Sequence, residues 1–184
     1  MICRIPPQLS EFVYCERCDL YKTRRHIVFG KGNLPCDILM VGEAPGKVED
    51  LRGDPLVGPE SRLLWSTLTK VLREEKLEEI TYFITNMVCC RPKALESMKE
   101  ENRKPEVEEM SGCRKRLLTL FHLAKPKMVL LIGSVAGTHA RIGAERATFR
   151  IYNPGYVVRN KAAYPEFIAS IRDAIRLLRE IKHV

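Results

Sequence analysis

The sequence lacks the segments that would place it in a membrane or a secretory pathway. Its longest wholly apolar run, 128–132, is far too short to cross a bilayer, and the N-terminal stretch "MICRIPPQLSEF" has no signal-peptide core. Internal repeats and low-complexity tracts are also missing. With 184 residues, 45% of them hydrophobic, the chain can build one domain with a real core. We therefore expect a single domain over 1–184 in a soluble, cytoplasmic, monomeric protein without a membrane partner.

The sequence also lacks an acidic excess and an even number of cysteines. Its formal net charge is +8 and its pI is about 9.2, which suits either a nucleic-acid partner or simply a solvated basic surface. Charge alone leaves these two readings open. Seven cysteines cannot all pair, and an intracellular chain does not normally use disulfides. Metal ligation is therefore the leading question about the cysteines.

Short apolar segments alternate with amphipathic ones, a pattern that predicts an α/β fold. Strands are predicted at 37–42, 82–88, 127–133 and 148–154, and helices at 61–76, 107–124, 135–142 and 165–181. Continuous apolar strands separated by helices predict a three-layer α/β/α sandwich around a central, mainly parallel four-stranded sheet. Ligands of such sheets bind outside the carboxyl ends of the strands. The loops after Val41, Ile84 and Tyr152 should therefore surround one crevice.

Four of the cysteines have positions that would suit a metal centre. Cys15 and Cys18 form a C-x-x-C pair, which can chelate one metal centre, and Cys90 and Cys113 would complete a four-thiolate shell from distant segments. Cys90 and Cys113 could equally be buried apolar residues, which is common for free cysteine. On spacing alone, zinc, an iron-sulfur cluster and no metal all remain open.

The segment "VGEAPGKVED" follows the first predicted strand and has the composition of a ligand-binding loop. Gly42 and Gly46 allow backbone N–H groups to approach a ligand closely, and Glu43 and Glu49 supply carboxylates beside it. Turns rich in glycine, proline and acids are more often only turns. Taken in isolation this loop is weak evidence of a site.

Five segments, in this order, resemble the motifs of the iron-sulfur uracil-DNA glycosylases, the thermophile-type fourth family of the uracil-DNA glycosylase superfamily. The segments are Cys15-x-x-Cys18, "GEAPGKVEDLRGDPLVGPESRLL" (42–64), "TNMVCCRP" (85–92), "NRKPEVEEMSGC" (102–113) and "NPGYVVRN" (153–160). One such motif would be weak evidence, whereas five in order across nearly the whole chain are specific. The resemblance implies an enzyme that flips a damaged nucleotide out of DNA and cleaves the bond between base and sugar.

The resemblance also implies a [4Fe-4S] cluster. Its ligands would be Cys15, Cys18, Cys90 and Cys113. Cys89 stands where the family often has lysine, and Cys3 and Cys36 match nothing in the family pattern. Compared with the family, this chain has extra residues between Pro92 and Asn102, within a highly charged segment (93–104) that we expect to be an exposed loop or short helix.

Carried over position by position, the resemblance assigns roles around the flipped base. Glu43 and Glu49 match acidic positions that hold the attacking water or stabilise the developing sugar cation, while the backbone at Ala44 and Pro45 would line the base pocket. Asn86 matches the residue whose amide offers both a donor and an acceptor to the uracil edge. These residues form the implied catalytic and base-binding set, together with Leu56 and Asn153.

Leu56 and Asn153 depart from the family pattern. The family has a phenylalanine at position 56 that stacks on the flipped base, and leucine gives up that aromatic stacking. At position 153 it has a histidine that donates to the uracil oxygen, and a neutral asparagine donor is roughly half as strong as a charged one. An Asn-Pro turn at this place resembles the mismatch-specific uracil and thymine glycosylases, although Gly155 replaces the usual serine.

The residues after this turn are expected to face DNA. Tyr156, Val157 and Val158 are candidates for the wedge that fills the vacated base stack, and Arg159 and Lys161 for phosphate contacts. The partner is therefore expected to be single- or double-stranded DNA containing uracil or another altered base.

Three functions are compatible with these motifs. The first is a monofunctional DNA glycosylase that hydrolyses the N-glycosidic bond of uracil, or of a related deaminated or modified base, and so initiates base-excision repair. The second is a DNA-binding member of the superfamily that recognises an altered base with weak or no catalysis. The third is a zinc protein with redox-inert cysteines, which the five motifs favour least.

Overall fold

A mostly parallel β-sheet forms the centre of the fold. The structure is a computed structural model that describes residues 5–77, 79–94, 101–142 and 146–183. Within these ranges the sheet has five strands: β1 (Lys31–Gly32), β2 (Ile38–Gly42), β3 (Tyr82–Asn86), β4 (Met128–Ile132) and β5 (Ala147–Ile151). Their order across the sheet is β1-β3-β2-β4-β5. Strands β2 to β5 pair in parallel, and β1 pairs antiparallel with β3.

The prediction of a mainly parallel sheet is confirmed, but the prediction of four strands is wrong because of β1. This strand is only two residues long and exposed on both, so it has no apolar pattern to detect. Gly30, just before the strand, and Gly32, its last residue, have φ angles of 140° and 134°, which favour glycine. A side chain at Gly32 would collide with the carbonyl oxygen of Tyr82. The edge strand therefore depends on close backbone approach.

Helices cover both faces of the sheet. Successive strand residues point to opposite faces, so Ile38 and Met40 pack into one apolar cluster while Leu39 and Val41 pack into another. The first cluster includes residues of α2 (Ser61–Glu74) and α6 (Tyr164–His183), and the second includes residues of α3 (Val107–Ala124) and α4 (Gly133–His139). One apolar core thus lies on each face of the sheet, between the sheet and its helices. This arrangement is the three-layer sandwich expected from the sequence. None of the helices in the described ranges is both long and apolar enough to span a membrane.

Two short helices follow the ends of strands and were not expected. Helix α1 (Lys47–Arg52) follows β2, and helix α5 (Pro154–Arg159) follows β5. Each has only six residues, which is too few for an amphipathic period to be recognised. Both begin at the edge of the sheet where the predicted site residues lie.

The base of the extra segment between Pro92 and Asn102 is an antiparallel bridge. Lys93 pairs with Asn102, and the backbone N–H of Ala94 donates to the carbonyl of Glu101 at 3.0 Å. Residues 95–100, half of the segment predicted to be a loop or short helix, lie outside the described residues. The bridge returns the chain to Asn102, next to the sheet edge.

Candidate active site

One cavity of about 500 Å³ brings together most of the predicted site residues. Its walls come from the segment after β2, the carboxyl ends of β3 and β4, and the turn between β5 and α5. The predicted residues that form its wall are Glu43, Ala44, Pro45, Glu49, Leu56, Asn86, Asn153, Tyr156 and Arg159. This volume lies within the usual range of ligand pockets, roughly 300–1,000 Å³. Three distant motifs therefore meet around a space large enough for one base.

Glu49, in α1, is held by the backbone of the following loop. Its Oε1 atom accepts hydrogen bonds from the N–H groups of Val57, at 3.0 Å, and Gly58, at 2.7 Å. A Cβ on Gly46 would lie 2.8 Å from Oε2 of Glu49, so the absence of a side chain there gives the carboxylate its room. Within the described ranges Oε2 makes no hydrogen bond. The carboxylate is thus fixed by one oxygen, and the other can orient a water molecule.

Glu43 lies directly after β2 and is half-buried in the cavity wall. Burial raises the pKa of Glu43, and the positive charge of Lys104 opposes that rise. Lys104 also lines the cavity and makes no ion pair with a described residue. Its charge therefore favours the ionised form of Glu43, which is the form that stabilises a cation.

Asn86 is the last residue of β3 and is only 3% exposed. It lies in register with Gly42 on β2, where a Cβ would overlap Oδ1 of Asn86. Next to it, the N–H of Met87 donates to the carbonyl of Gly42 at 2.8 Å. Two adjacent strands thus confine the amide that would read a base edge.

Asn153 forms the start of a helix rather than a simple turn. It is the N-cap of α5, and its Oδ1 accepts a hydrogen bond from the N–H of Gly155 at 2.8 Å, with Pro154 at the first helical position. Because Oδ1 is used in the cap, the Nδ2 donor is the part of the amide that remains for a ligand. Asn153 is thus oriented to donate.

Leu56 lines the cavity with its backbone in the left-handed region, at φ 49°. That conformation costs about 1–2 kcal/mol for an L-residue other than glycine. The carbonyl of Leu56 accepts a hydrogen bond from Nε1 of Trp65 at 3.2 Å, which helps to hold this conformation. The strained loop therefore presents a leucine where an aromatic ring was expected.

Helix α5 divides its residues between the core and the surface. Tyr156 and Val158 are 43% and 48% exposed, whereas Val157 is 2% exposed and packs in the core. Val157 thus lies on the opposite side from the surface expected to face DNA, because neighbouring residues of a helix point in different directions. Arg159 and Lys161 are exposed. Val158 is the apolar residue of this helix that DNA could reach.

Lys104 and Glu60 are cavity residues that were not identified as site residues from the sequence. Lys104 belongs to the "NRKP" motif, which could have indicated its position. Glu60 precedes α2 and has no comparable signal. Its carboxylate approaches the α5 turn because Gly155 has no side chain: a Cβ there would lie 3.2 Å from Cδ of Glu60. Glu60 also lies 3.7 Å from Arg159.

The four predicted cysteine ligands lie near one another beside this cavity. Cys18, Cys90 and Cys113 share a small buried cluster, and both Cys113 and Cys15 are close enough to raise the pKa of Cys18, in addition to the larger effect of burial. Arg24 joins two of them, because its Nη1 donates to the carbonyl of Cys15 at 2.6 Å and to Sγ of Cys90 at 3.6 Å. In the described part of the chain, no group of three or more His, Cys, Asp or Glu side chains has the arrangement of a preformed metal site.

Cys89, left out of the predicted ligand set, forms a buried pair with Cys113. A hydrogen bond from Cys89 is the main cause that lowers the pKa of Cys113, to about 5, and the nearby Arg116 guanidinium lowers it further. The same hydrogen bond raises the pKa of Cys89. Within this pair, Cys113 is thus the thiol that ionises more readily.

The surroundings of Cys113 suit an anionic group. Arg116, one helical turn further along α3, is 2% exposed, and its hydrogen bonds go to uncharged oxygens. Its Nε atom is buried and has no hydrogen-bond partner among the residues that the structure describes. A buried cation needs a negative charge nearby, and an iron-sulfur cluster ligated by four thiolates carries one. The cysteines and Arg116 therefore fit such a cluster.

The mostly parallel sheet and the polar cavity at its carboxyl edge define an α/β protein with a ligand site at the ends of its strands. The family model of the Uracil DNA glycosylase superfamily matches residues 29–176, a range that includes every cavity residue named above. The chain belongs to this superfamily, and within it to the type-4 uracil-DNA glycosylases. The family expected from the five motifs is confirmed.

Three type-4 uracil-DNA glycosylases illustrate the relationship. The protein from Thermotoga maritima is 30% identical over 164 residues, which cover 80% of each chain. Those from Archaeoglobus fulgidus and Saccharolobus solfataricus are 37% and 35% identical over 129 and 119 residues, or 70% and 65% of this chain. The chain spans only 59% and 50% of the length of these last two relatives.

A solved structure supports the fold independently of sequence. The solution NMR structure of a candidate uracil DNA glycosylase from Methanosarcina acetivorans superposes with a TM-score of 0.51, covering 79% of this chain and 94% of that one. The two sequences are 14% identical, so this likeness concerns the fold alone.

Proposed function

We propose that the protein is a monofunctional DNA glycosylase that hydrolyses the N-glycosidic bond of uracil flipped out of DNA and so initiates base-excision repair. The observation that carries this proposal is the meeting of Glu43, Glu49, Asn86 and Asn153 in one cavity of about 500 Å³. Two carboxylates and two amides are the groups that this reaction needs. Membership of the type-4 family supports the same reaction.

The amides act on the base. Asn86 offers both a donor and an acceptor, which match the O4 acceptor and the N3–H donor of uracil. Nδ2 of Asn153, left available by the helix cap, donates to a uracil oxygen on which negative charge develops. As the bond between C1′ and N1 breaks, its electron pair moves onto the base, and a fixed donor stabilises that anion without reorganisation.

The carboxylates act on the sugar. Breaking the glycosidic bond leaves positive charge on the sugar ring, which an ionised Glu43 stabilises electrostatically. Oε2 of Glu49, whose partner oxygen is fixed by two backbone N–H groups, orients the water that adds to C1′ and accepts its proton. Because Glu49 can activate water directly, hydrolysis needs no covalent intermediate, although Lys104 also lines the cavity.

DNA would approach the face formed by α5 and the residues after it. Tyr156 and Val158 are the exposed residues suited to fill the space left by a flipped nucleotide, and Arg159 and Lys161 would contact phosphates. The net charge of +8 favours the approach of a polyanion.

We also propose that Cys15, Cys18, Cys90 and Cys113 hold a [4Fe-4S] cluster. When bound, the cluster would serve as a structural pin between the N-terminal segment, the loop after β3 and helix α3. Burial raises the pKa of Cys18 and Cys90, so these thiols would release protons on ligation. Val88 and Ala44 pack in the same cluster of residues, which links this region to the base pocket.

The experiment is a panel of single- and double-stranded oligonucleotides that contain uracil, hypoxanthine, xanthine or mismatched thymine. Anaerobically purified protein with its full iron content is incubated with each, and abasic sites are revealed by alkali. We expect cleavage of the uracil strands after alkali, no break before it and no adduct trapped by borohydride. Glu49→Gln should slow excision about 100-fold or more, whereas the matched control Glu180→Gln, exposed on α6, should not.

Intact strands throughout the panel would contradict the proposal. Tight binding to uracil-containing DNA together with intact strands would instead support a recognition protein without catalysis. A strand break before alkali, or a trapped adduct, would contradict the monofunctional mechanism.

A further inference from the structure

Arg116 is a buried arginine that contacts three consecutive residues at the base-reading end of β3. Its Nη1 donates to Oγ1 of Thr85 at 2.7 Å. Its Nη2 donates to the carbonyl of Asn86 at 2.6 Å and to that of Met87 at 3.1 Å. Arginine suits such a cluster of acceptors because its donors have a fixed planar geometry. The end of β3 is therefore bound to α3 by one guanidinium.

The peptide unit after Asn86 is held from two directions. Arg116 binds its carbonyl from α3, and the N–H of Met87 donates to Gly42 on β2 at 2.8 Å. The next N–H, that of Val88, donates to the carbonyl of Glu43 at 3.3 Å. Without Arg116, the carbonyls of Asn86 and Met87 would lose their charged partner in a buried place, where unsatisfied acceptors are costly.

Arg116 also connects this strand end to the cysteine region. Within the described ranges no carboxylate pairs with its guanidinium, and the three oxygens it binds are uncharged. Cys113 lies one helical turn earlier on α3, and Cys89 and Cys90 follow two residues after the end of β3. Arg116 therefore ties the helix that carries Cys113 to the strand that leads into Cys89 and Cys90.

We propose that Arg116 is a positioning residue that couples the cysteine site to base recognition, because it holds Asn86 in place from the helix that also carries Cys113. This inference rests on the proposed function, because it takes Asn86 to be the residue that reads the base. It assigns to α3 a role in substrate selection although α3 contributes no base-binding side chain. The state of the cysteine site would then affect activity through one side chain.

The test compares Arg116→Met with Arg116→Lys and with Arg114→Met as a matched control. Arg114 lies on the same helix but is exposed. Amide hydrogen exchange is measured across the chain, together with iron content and visible absorption. Steady-state excision of uracil gives kcat and KM, and binding of undamaged DNA is followed separately.

For Arg116→Met we expect amide exchange to accelerate at Met87 and Val88 more than in the rest of the chain, and the iron content to fall. The kcat for uracil should drop about 10- to 100-fold, which is the effect expected from loss of one hydrogen bond to a charged group. Binding of undamaged DNA should not change. Arg116→Lys should retain iron because it keeps the charge, yet show part of the exchange and kcat effects. Arg114→Met should resemble the wild type.

Unchanged exchange at Met87 and Val88 would overturn the proposal. It would also be overturned if exchange rose uniformly and kcat fell only with the folded fraction, because that pattern indicates a general structural role. If Arg116→Met does not fold, amide exchange at Met87 and Val88 and the kcat of Arg116→Lys test the proposal by the same criteria. Should the wild type excise no base, the exchange and iron measurements still test the coupling, so the two failures are distinguishable.

Discussion

Asn153 has two tasks that one substitution can separate. Its Oδ1 caps α5 through the N–H of Gly155 at 2.8 Å, and its Nδ2 is the proposed donor to the departing base. Asn153→Asp keeps an acceptor for the cap but removes the donor. Asn153→Ala removes both. A comparison of the two variants therefore distinguishes catalysis from helix stability.

The expected magnitudes differ clearly between the two tasks. Loss of an N-cap side chain costs about 1 kcal/mol of stability, so Asn153→Ala should lower the free energy of unfolding by that amount and Asn153→Asp should lower it little. Loss of a donor to a developing anion costs about 10²–10³-fold in kcat. Both variants should therefore show that loss, and the aspartate should show the greater one because its charge repels the anion.

The assay is single-turnover excision of uracil from a single-stranded oligonucleotide, with urea unfolding measured on the same preparations. Asn153→His is the matching variant with a stronger donor, because an imidazolium donates a charge-assisted hydrogen bond that is about twice as strong as a neutral one. Wild-type kcat in Asn153→Asp would refute the donor role. Equal destabilisation by aspartate and alanine would refute the cap argument.

Three further predictions concern the other walls of the cavity. As the pH is lowered, kcat/KM should begin to fall at a pH above the ordinary pKa of glutamate, because burial raises the pKa of Glu43. Lys104→Met should move this fall to higher pH, because it removes the positive charge that lowers the pKa of Glu43. If the fall does not move, Glu43 is not the group that titrates. Gly42→Ala should reduce kcat about 100-fold, because the added Cβ would displace Asn86; normal excision kinetics would show that Asn86 does not need this position. Leu56→Phe should lower KM for uracil-containing DNA about two- to tenfold through an aromatic contact worth about 0.5–1.5 kcal/mol, and an unchanged KM would indicate that residue 56 does not touch the base.

The parallel strands could be predicted because each is a continuous apolar run that helices bury on both faces. The limits of that reasoning appear at strand ends. The apolar pattern predicts a strand over 82–88, but the structure ends β3 at Asn86. The N–H groups of Met87 and Val88 instead donate to the carbonyls of Gly42 and Glu43, at the end of β2. Strand β1 depends on glycine backbone conformations and not on side-chain burial, so no pattern reveals it.

The site could be predicted as a set of motifs but not as a geometry. The motifs identify Glu49 and Asn153 as candidates. They do not reveal that two loop N–H groups hold Glu49 or that Asn153 caps a helix. Arg116 escapes detection because a single arginine in an amphipathic helix normally faces solvent. Its burial depends on acceptors at the end of β3, which are distant in sequence. Contacts between motifs, rather than the motifs themselves, are what the structure adds.

Those contacts share one property: three of the four polar groups proposed for catalysis are already held by the protein. Glu49 is bound by two backbone N–H groups, Asn86 is confined by Gly42, and Asn153 is fixed by its own cap. Groups that are held before the substrate arrives need not reorganise as charge develops, which is the main source of electrostatic catalysis. Substitutions of the supporting residues should therefore raise the activation free energy of excision by more than they lower the free energy of unfolding. They loosen the geometry of the cavity but leave the two apolar cores intact.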